Sequence, residues 1–200
     1  MFRIVVYMNI GVVILAAGEG KRFGGNKLIA EIDNIPIIVK TIRIYDGLEK
    51  VIVVGKYVNE LIPLLSDQIV IYNPFWKEGI STSIKLGLRF FKDYDGVLIA
   101  LGDMPFVLRE DVEKILKVFA SKKCKAVIPV HKEERGNPVL LARSLFPEID
   151  NLKGDVGARV ILNKLNKEEL CFVECSEGVL IDIDKKEDLM SFRKFHSQLL

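Results

Sequence analysis

The sequence predicts an α/β fold of three layers, α/β/α, built on a mostly parallel, twisted sheet. Three observations carry this. The apolar runs are short and rich in β-branched residues, they alternate with stretches of helical periodicity, and no internal repeat or low-complexity linker divides the chain. Continuous apolar runs suit strands covered on both faces. Strand–helix alternation implies parallel strands joined by right-handed crossovers. At 200 residues the whole chain, 1–200, reads as a single domain.

Residues 1–7 read as an extra strand or a variable extension. Ile10 to Ala17 is the first strand. Its apolar run follows a single Arg3 and ends near Leu15-Ala16-Ala17, which superficially imitates a signal peptide. The run is too short for a membrane helix, which needs about 20 apolar residues, and Asn9 and Gly11 interrupt it. A buried strand and a cytoplasmic location are therefore expected, with no membrane partner. Further strands are expected over Val51–Gly55, Ile69–Tyr72, Gly96–Leu101 and Ala126–Val130. Helices are expected over Pro36–Tyr45, Val58–Leu65, Ser81–Phe91 and Glu110–Phe119. Ile84, Leu88 and Phe91 are spaced as one buried helical stripe requires. Beyond these, Pro138–Leu141 and Leu170–Val173 read as strands, and Val156–Leu165 and Lys186–Phe195 as helices.

Composition narrows the function. Lys+Arg 29 against Asp+Glu 27 leaves a formal charge of +2, so binding nucleic acid through bulk positive charge is not expected. Half the residues are apolar and 28% are charged, enough for a substantial core. Cys124, Cys171 and Cys175 are odd in number and form no C-x-x-C pair. That pattern disfavours a disulfide framework and a zinc ribbon, fits a reducing compartment, and makes Cys171 and Cys175 core residues. With only His131 and His196, a multi-histidine metal site is out of reach.

In sheets of this kind ligands bind beyond the carboxyl ends of the strands. After the first strand comes Leu15-Ala16-Ala17-Gly18-Glu19-Gly20-Lys21-Arg22-Phe23-Gly24-Gly25-Asn26-Lys27, with four glycines in eight residues. Glycine lets successive backbone N–H groups converge on phosphate oxygens, and Lys21, Arg22 and Lys27 add cations. A dinucleotide fingerprint fails, because its third glycine falls on Phe23 and its ribose-binding acid is replaced by Gly55-Lys56. A P-loop fails because Lys27 is followed by Leu28. A plain surface turn explains the glycines but not the cations.

After the fourth strand, Gly102-Asp103-Met104-Pro105 puts a carboxylate on the ligand side. Two roles are open to Asp103: a ligand for Mg2+ facing phosphates, or the cap of a helix starting near Leu108. In Ile181-Asp182-Ile183-Asp184 the two acids point to one side if the segment is extended, and either can share the metal. Asn73 to Ser83 opens a helix, where Ser81, Thr82 and Ser83 can meet a base or ribose, or Ser81 can act as an N-cap. Trp76 in this stretch can pack or stack. Asp155 can cap the helix after it, with Arg159 one turn in and able to reach a second phosphate.

The loop L-A-A-G-x-G-x-R-F-G-G-x-K, the G-D-M-P tetrapeptide, Asn73-x-x-Trp76-x-x-Gly79, Arg135-Gly136-Asn137-Pro138, Gly154-Asp155-Val156-Gly157-Ala158-Arg159 and the late D-x-D all occur in this chain. Together they resemble the MobA-like nucleotidyltransferases of molybdenum-cofactor synthesis, over nearly the whole chain from Ile10 to Leu189. The resemblance implies a Rossmann-like, nucleotide-diphospho-sugar-transferase-like fold. It also implies a Mg2+-dependent enzyme that moves a nucleoside monophosphate from CTP or GTP to a phosphorylated acceptor such as molybdopterin, releasing pyrophosphate. By the same resemblance Arg22, Lys27 and Asp103 are catalytic. The nucleotide is held by Leu15, Ala16, Ala17, Gly18, Gly20, Lys21, Arg22, Gly24, Lys27, Ser81, Thr82, Ser83, Gly102 and Asp103. Asp103, Asp182 and Asp184 are the metal candidates, and Arg135, Asn137 and Arg159 face the acceptor. Three departures stand out: Phe23 for Met or Leu, Asn137 for His, and Lys185-Lys186 for Thr-Pro. Ala17 stands where guanylyl members carry Gly, which favours CTP. A sugar-phosphate nucleotidyltransferase and a non-catalytic nucleotide-binding regulator are the alternatives.

Overall fold

The computed structural model describes residues 8–189. The expectations for residues 1–7, and for the last helix beyond residue 189, lie outside the described residues. The strands are β1 (Ile10–Ala16), β2 (Glu31–Ile32), β3 (Ile35–Pro36), β4 (Glu49–Val54), β5 (Ile69–Tyr72), β6 (Gly96–Leu101), β7 (Ala126–His131), β8 (Glu134–Arg135), β9 (Val139–Ala142) and β10 (Leu170–Glu174). The helices are α1 (Ile37–Ile44), α2 (Val58–Leu61), α3 (Ile80–Phe90), α4 (Arg109–Ser121), α5 (Phe146–Asp150) and α6 (Arg159–Leu162), with short 3-10 turns between elements.

Eight strands form one sheet in the order β10-β7-β9-β6-β1-β4-β5, with β8 alongside β7; β2 and β3 pair separately. The sheet is mostly parallel, but β9 runs antiparallel to both β6 and β7. β1 is central: Ile14 lies between Ile52 of β4 and Ala100 of β6. The chain leaves β1 toward β4 on one side and returns to β6 on the other, which opens a crevice at their carboxyl ends.

Period-two alternation sorts the β1 side chains into two cores. Val12, Ile14 and Ala16 pack with Ile37, Ile38 and Ile42 of α1 and Val112, Ile115 and Phe119 of α4. Val13 and Leu15 face Ile84 and Leu88 of α3, with Ile149 and Ile161 from α5 and α6. Both faces are covered, as the continuous apolar runs required.

Several expectations are corrected in detail. The helix expected over Val156–Leu165 shrinks to Arg159–Leu162, because glycines at 154 and 157 keep the preceding segment in a loop. Asp103 does not cap α4; Asp111 does, accepting from the Leu108 N–H at 3.2 Å. Asp155 does not cap α6, whose N-cap position is Ala158. Nor does Ser81 cap α3, which starts one residue earlier with Gly79 at its N-cap position.

The cysteines give the clearest correction. Cys124, just before β7, and Cys171 on β10 form a disulfide with Cα atoms 5.8 Å apart. β7 and β10 are parallel neighbours, which brings Cys171 beside the segment entering β7 that carries Cys124, 47 residues away in sequence. Counting cysteines cannot reveal that pairing. Cys175 remains a buried free thiol, and burial first, then nearby Asp111, pushes it up to about 12. Closing a loop of this length stabilises by about 4 kcal/mol in the chain-entropy account. Thiol titration of the unreduced, denatured chain should therefore count one thiol per molecule, and reductant should lower Tm by roughly 5–15 °C. Three thiols and an unchanged Tm would contradict the bridge.

Candidate active site

The crevice beyond β1, β4 and β6 is a cleft of about 900 Å³, large enough for a nucleoside triphosphate. One wall is the glycine loop that leaves β1. Gly20 takes φ +61 and has no room for a Cβ against the Gly25 carbonyl. Its own carbonyl accepts from the N–H groups of Phe23 and Gly24, each at 3.1 Å, which tightens the turn. Phe23 drops into the core at 9% exposure and anchors the loop. Asn26 then accepts from the Leu28 N–H at 3.2 Å and starts the 3-10 turn that carries Lys27.

The opposite wall holds the acids. Gly102 donates its N–H to the Leu15 carbonyl at 2.9 Å, so Asp103 emerges beside the glycine loop. The Ile183 N–H donates to the Asp103 carbonyl at 3.0 Å, which ties the late acidic segment to the end of β6. Ile183 is fully buried in the core, so Asp182 and Asp184 on either side of it face outward together. Asp188 holds the second of these in place, its carboxylate accepting from the N–H groups of Asp184 at 2.8 Å and Lys185 at 2.7 Å. Those backbone donors keep the Asp188 carboxyl below its ordinary range.

Asp103, Asp182 and Asp184 each offer an oxygen within 4.8 Å of the others. Cations from the glycine loop reach across to them. Lys27 Nζ lies 2.5 Å from Asp103 Oδ2 and 3.0 Å from Asp184 Oδ1, and Arg22 Nη1 lies 2.6 Å from Asp184 Oδ2. Burial opposes the charge on Lys27, but Asp103 and Asp184 outweigh it and raise its pKa above the ordinary lysine value. Asp182 stands outside these ion pairs. Partial burial first, then Asp184 and Asp103, raises its carboxyl. One buried oxygen, Asp103 Oδ1, has no hydrogen-bond partner. An all-oxygen cluster with an unpartnered buried acceptor fits a hard divalent cation.

Of the residues expected to hold a nucleotide, Leu15, Ala16, Ala17, Gly18, Gly20, Lys21, Arg22, Lys27, Ser83 and Asp103 line the cleft, and Asp184 joins them. Gly24, Ser81, Thr82 and Gly102 do not, nor do Asp182, Arg135, Asn137 and Arg159. Arg135 lies with its guanidinium 5.2 Å from the Phe172 ring, out on the β8–β10 surface. Asn137 donates its backbone N–H to the Val179 carbonyl at 2.9 Å, which supports the segment leading to Asp182. At the start of α3, two backbone N–H groups already have partners. Ile80 N–H donates to Asp155 Oδ1 at 3.3 Å, and Ser81 N–H to the Gly154 carbonyl at 3.4 Å. Gly79, at φ +107, makes this contact feasible, since any Cβ there would strike the Gly154–Asp155 backbone. Thr82 Oγ1 and Ser83 Oγ accept from Asn73 at 2.8 and 2.9 Å.

On the rim of the cleft, sequence reasoning missed Tyr57, while Trp76, Gly79 and Asp155 lay in motifs it had singled out. Tyr57 donates its hydroxyl to the Glu19 carbonyl at 2.9 Å, and Lys56 pairs with the Glu19 carboxylate at 2.8 Å. Tyr57, Trp76, Gly79 and Asp155 all line the cleft. For Tyr57, position just after β4 at the carboxyl edge is the signal that could have found it.

The MobA-like NTP transferase domain family matches residues 12–169. A protein of Thermococcus kodakarensis named as a probable molybdenum cofactor guanylyltransferase is 31% identical, with 88% of this chain and 90% of its own covered. A protein of the same name from Thermococcus gammatolerans is 28% identical over 90% of this chain and 97% of its own. The crystal structure of Rv0371c from Mycobacterium tuberculosis superposes with a TM-score of 0.81 at 20% identity, covering 94% of this chain and 98% of that one. The same mycobacterial protein in complex with manganese gives a TM-score of 0.75, also at 20% identity, covering 93% of this chain and 97% of that one. No described helix is long and apolar enough to cross a membrane. With the glycine loop and the acidic cluster held face to face across one cleft, the chain belongs to the MobA-like NTP transferase family.

Proposed function

We propose that the chain transfers a nucleoside monophosphate from a triphosphate to a phosphorylated acceptor, molybdopterin being the favoured one. The carrying observation is the pairing of Lys27 and Arg22 with Asp103 and Asp184 inside the cleft. In the reaction an acceptor phosphate oxygen attacks the α-phosphorus, the bond to the β-phosphate oxygen breaks, and pyrophosphate leaves. Lys27, Arg22 and the glycine-loop N–H groups bind the triphosphate and neutralise charge on the leaving group. Asp103 and Asp184, with Asp182 beside them, would hold a Mg2+ or Mn2+ ion. When bound, that ion supplies Lewis-acid stabilisation of the phosphate oxygens.

CTP is the favoured donor, because Ala17, on the cleft wall, stands where the guanylyl members that the loop resembles carry glycine. GTP is the second reading, favoured by the names of the thermococcal relatives. The proposed reaction involves neither nucleic acid nor membrane. Pyrophosphate release should be measured with each of four triphosphates and Mg2+, with molybdopterin, with sugar phosphates, and with no acceptor. Release that requires molybdopterin and is fastest with CTP supports the proposal. Release only with sugar phosphates moves the acceptor class. No release under any condition, despite triphosphate binding, would make the chain a nucleotide-binding regulator.

A further inference from the structure

We infer that Lys27 occupies the cation position of the unliganded chain, so that a divalent ion binds tightly only together with the triphosphate. The inference rests on the reading of the acidic cluster as the metal site, and adds an order of events to it. The Lys27 ammonium lies 2.5 Å from Asp103 Oδ2 and 3.0 Å from Asp184 Oδ1. A bound Mg2+ would sit about 2.0–2.1 Å from the same oxygens. The two cations cannot share that position, because like charges so close repel strongly at the edge of a low-dielectric core.

Charge balance points the same way. Three carboxylates face Lys27 and Arg22, so two of the three negative charges are already matched before any ion arrives. A metal alone must displace these cations into water with no other anion to take them. A triphosphate brings that anion. Lys27 carries its charge on a long flexible stem and starts a 3-10 turn on the cleft wall, so it can swing from the acids to phosphate oxygens without backbone change. The Arg22 side chain is 68% exposed and can follow. The acids are then left with fewer cations, and Asp103 Oδ1, buried without a partner, becomes part of an open oxygen cage. The device keeps the acids from collapsing apart in the free chain and discourages metal uptake without substrate.

Mn2+ binding to the whole chain, read from the loss of the free-ion EPR signal, tests this directly. Titrations are run alone and with CTP and GTP analogues carrying a non-hydrolysable α,β bridge. The wild-type chain should bind Mn2+ at least tenfold more tightly with an analogue than alone, counting only the ion held beyond that bound by the analogue in a protein-free control. Lys27→Met should bind Mn2+ alone at least tenfold more tightly than wild type and lose most of the gain from the analogue. Equal wild-type affinity in the two conditions would overturn the inference, and needs no variant. So would a folded Lys27→Met chain, with unchanged circular dichroism, that binds Mn2+ alone no better than wild type. Asp103→Asn separates the underlying reading: if it binds Mn2+ as wild type does, the acidic cluster is not the metal site at all.

Discussion

Asp103→Ala should slow turnover by at least about a thousandfold while the protein still folds, since a bound cation supplies several kcal/mol and each 1.36 kcal/mol is tenfold in rate. Asp103 is the only one of the three acids that follows a core strand and lines the cleft with a buried, unpartnered oxygen. The substitution leaves the fold in place because the link from Ile183 to residue 103 uses a backbone carbonyl, not the carboxylate. Lys27 keeps Asp184 as a partner. Steady-state pyrophosphate release, with circular dichroism as the control for folding, reads the outcome. Activity within tenfold of wild type would contradict the assignment.

Lys27→Ala should lower kcat/KM by roughly 10²–10³, the usual cost of removing one preorganised group that meets developing charge. Arg22→Ala should cost less. The Lys27 side chain is 15% exposed and meets two acids, whereas Arg22 is 68% exposed and meets one. Water screens an exposed charge more effectively, so the buried cation carries more of the electrostatic effect. Lys27→Arg should recover only part of the loss, because a planar guanidinium does not reproduce a compact ammonium between two carboxylates. An equal or reversed order of the two alanine variants would show that the cleft works differently in the triphosphate-bound state.

The sheet was largely legible because both of its faces are covered. The runs Ile10–Ala16 and Gly96–Leu101 announce themselves by composition. The antiparallel placement of β9 was not legible, since local pattern is the same for either strand direction. The two tight hairpins make an instructive pair. Asp33 and Asn34 adopt positive φ between β2 and β3, and both residue types tolerate that conformation, so this turn could have been found. Lys132 and Glu133 do the same between β7 and β8, where the residue types give no such hint. In the site, the glycine loop, Asp103 and the Asp182–Asp184 pair were visible because their chemistry is written in short motifs. Their assembly through the Ile183–Asp103 backbone bond was not, nor was the docking of the Gly154–Asp155 loop on the start of α3. The disulfide was hidden for the same reason: it depends on β7 and β10 being neighbours.

The most direct test of the account is the position of the metal and the triphosphate relative to the two walls of the cleft. A crystal grown with Mn2+ and a non-hydrolysable CTP analogue, with data collected for anomalous scattering, locates the ion without ambiguity. The account predicts one anomalous peak bridging Asp103 and Asp184 to the phosphates, with Lys27 and Arg22 moved onto phosphate oxygens. A peak elsewhere, or a triphosphate bound away from the glycine loop while Lys27 stays on the acids, would contradict it.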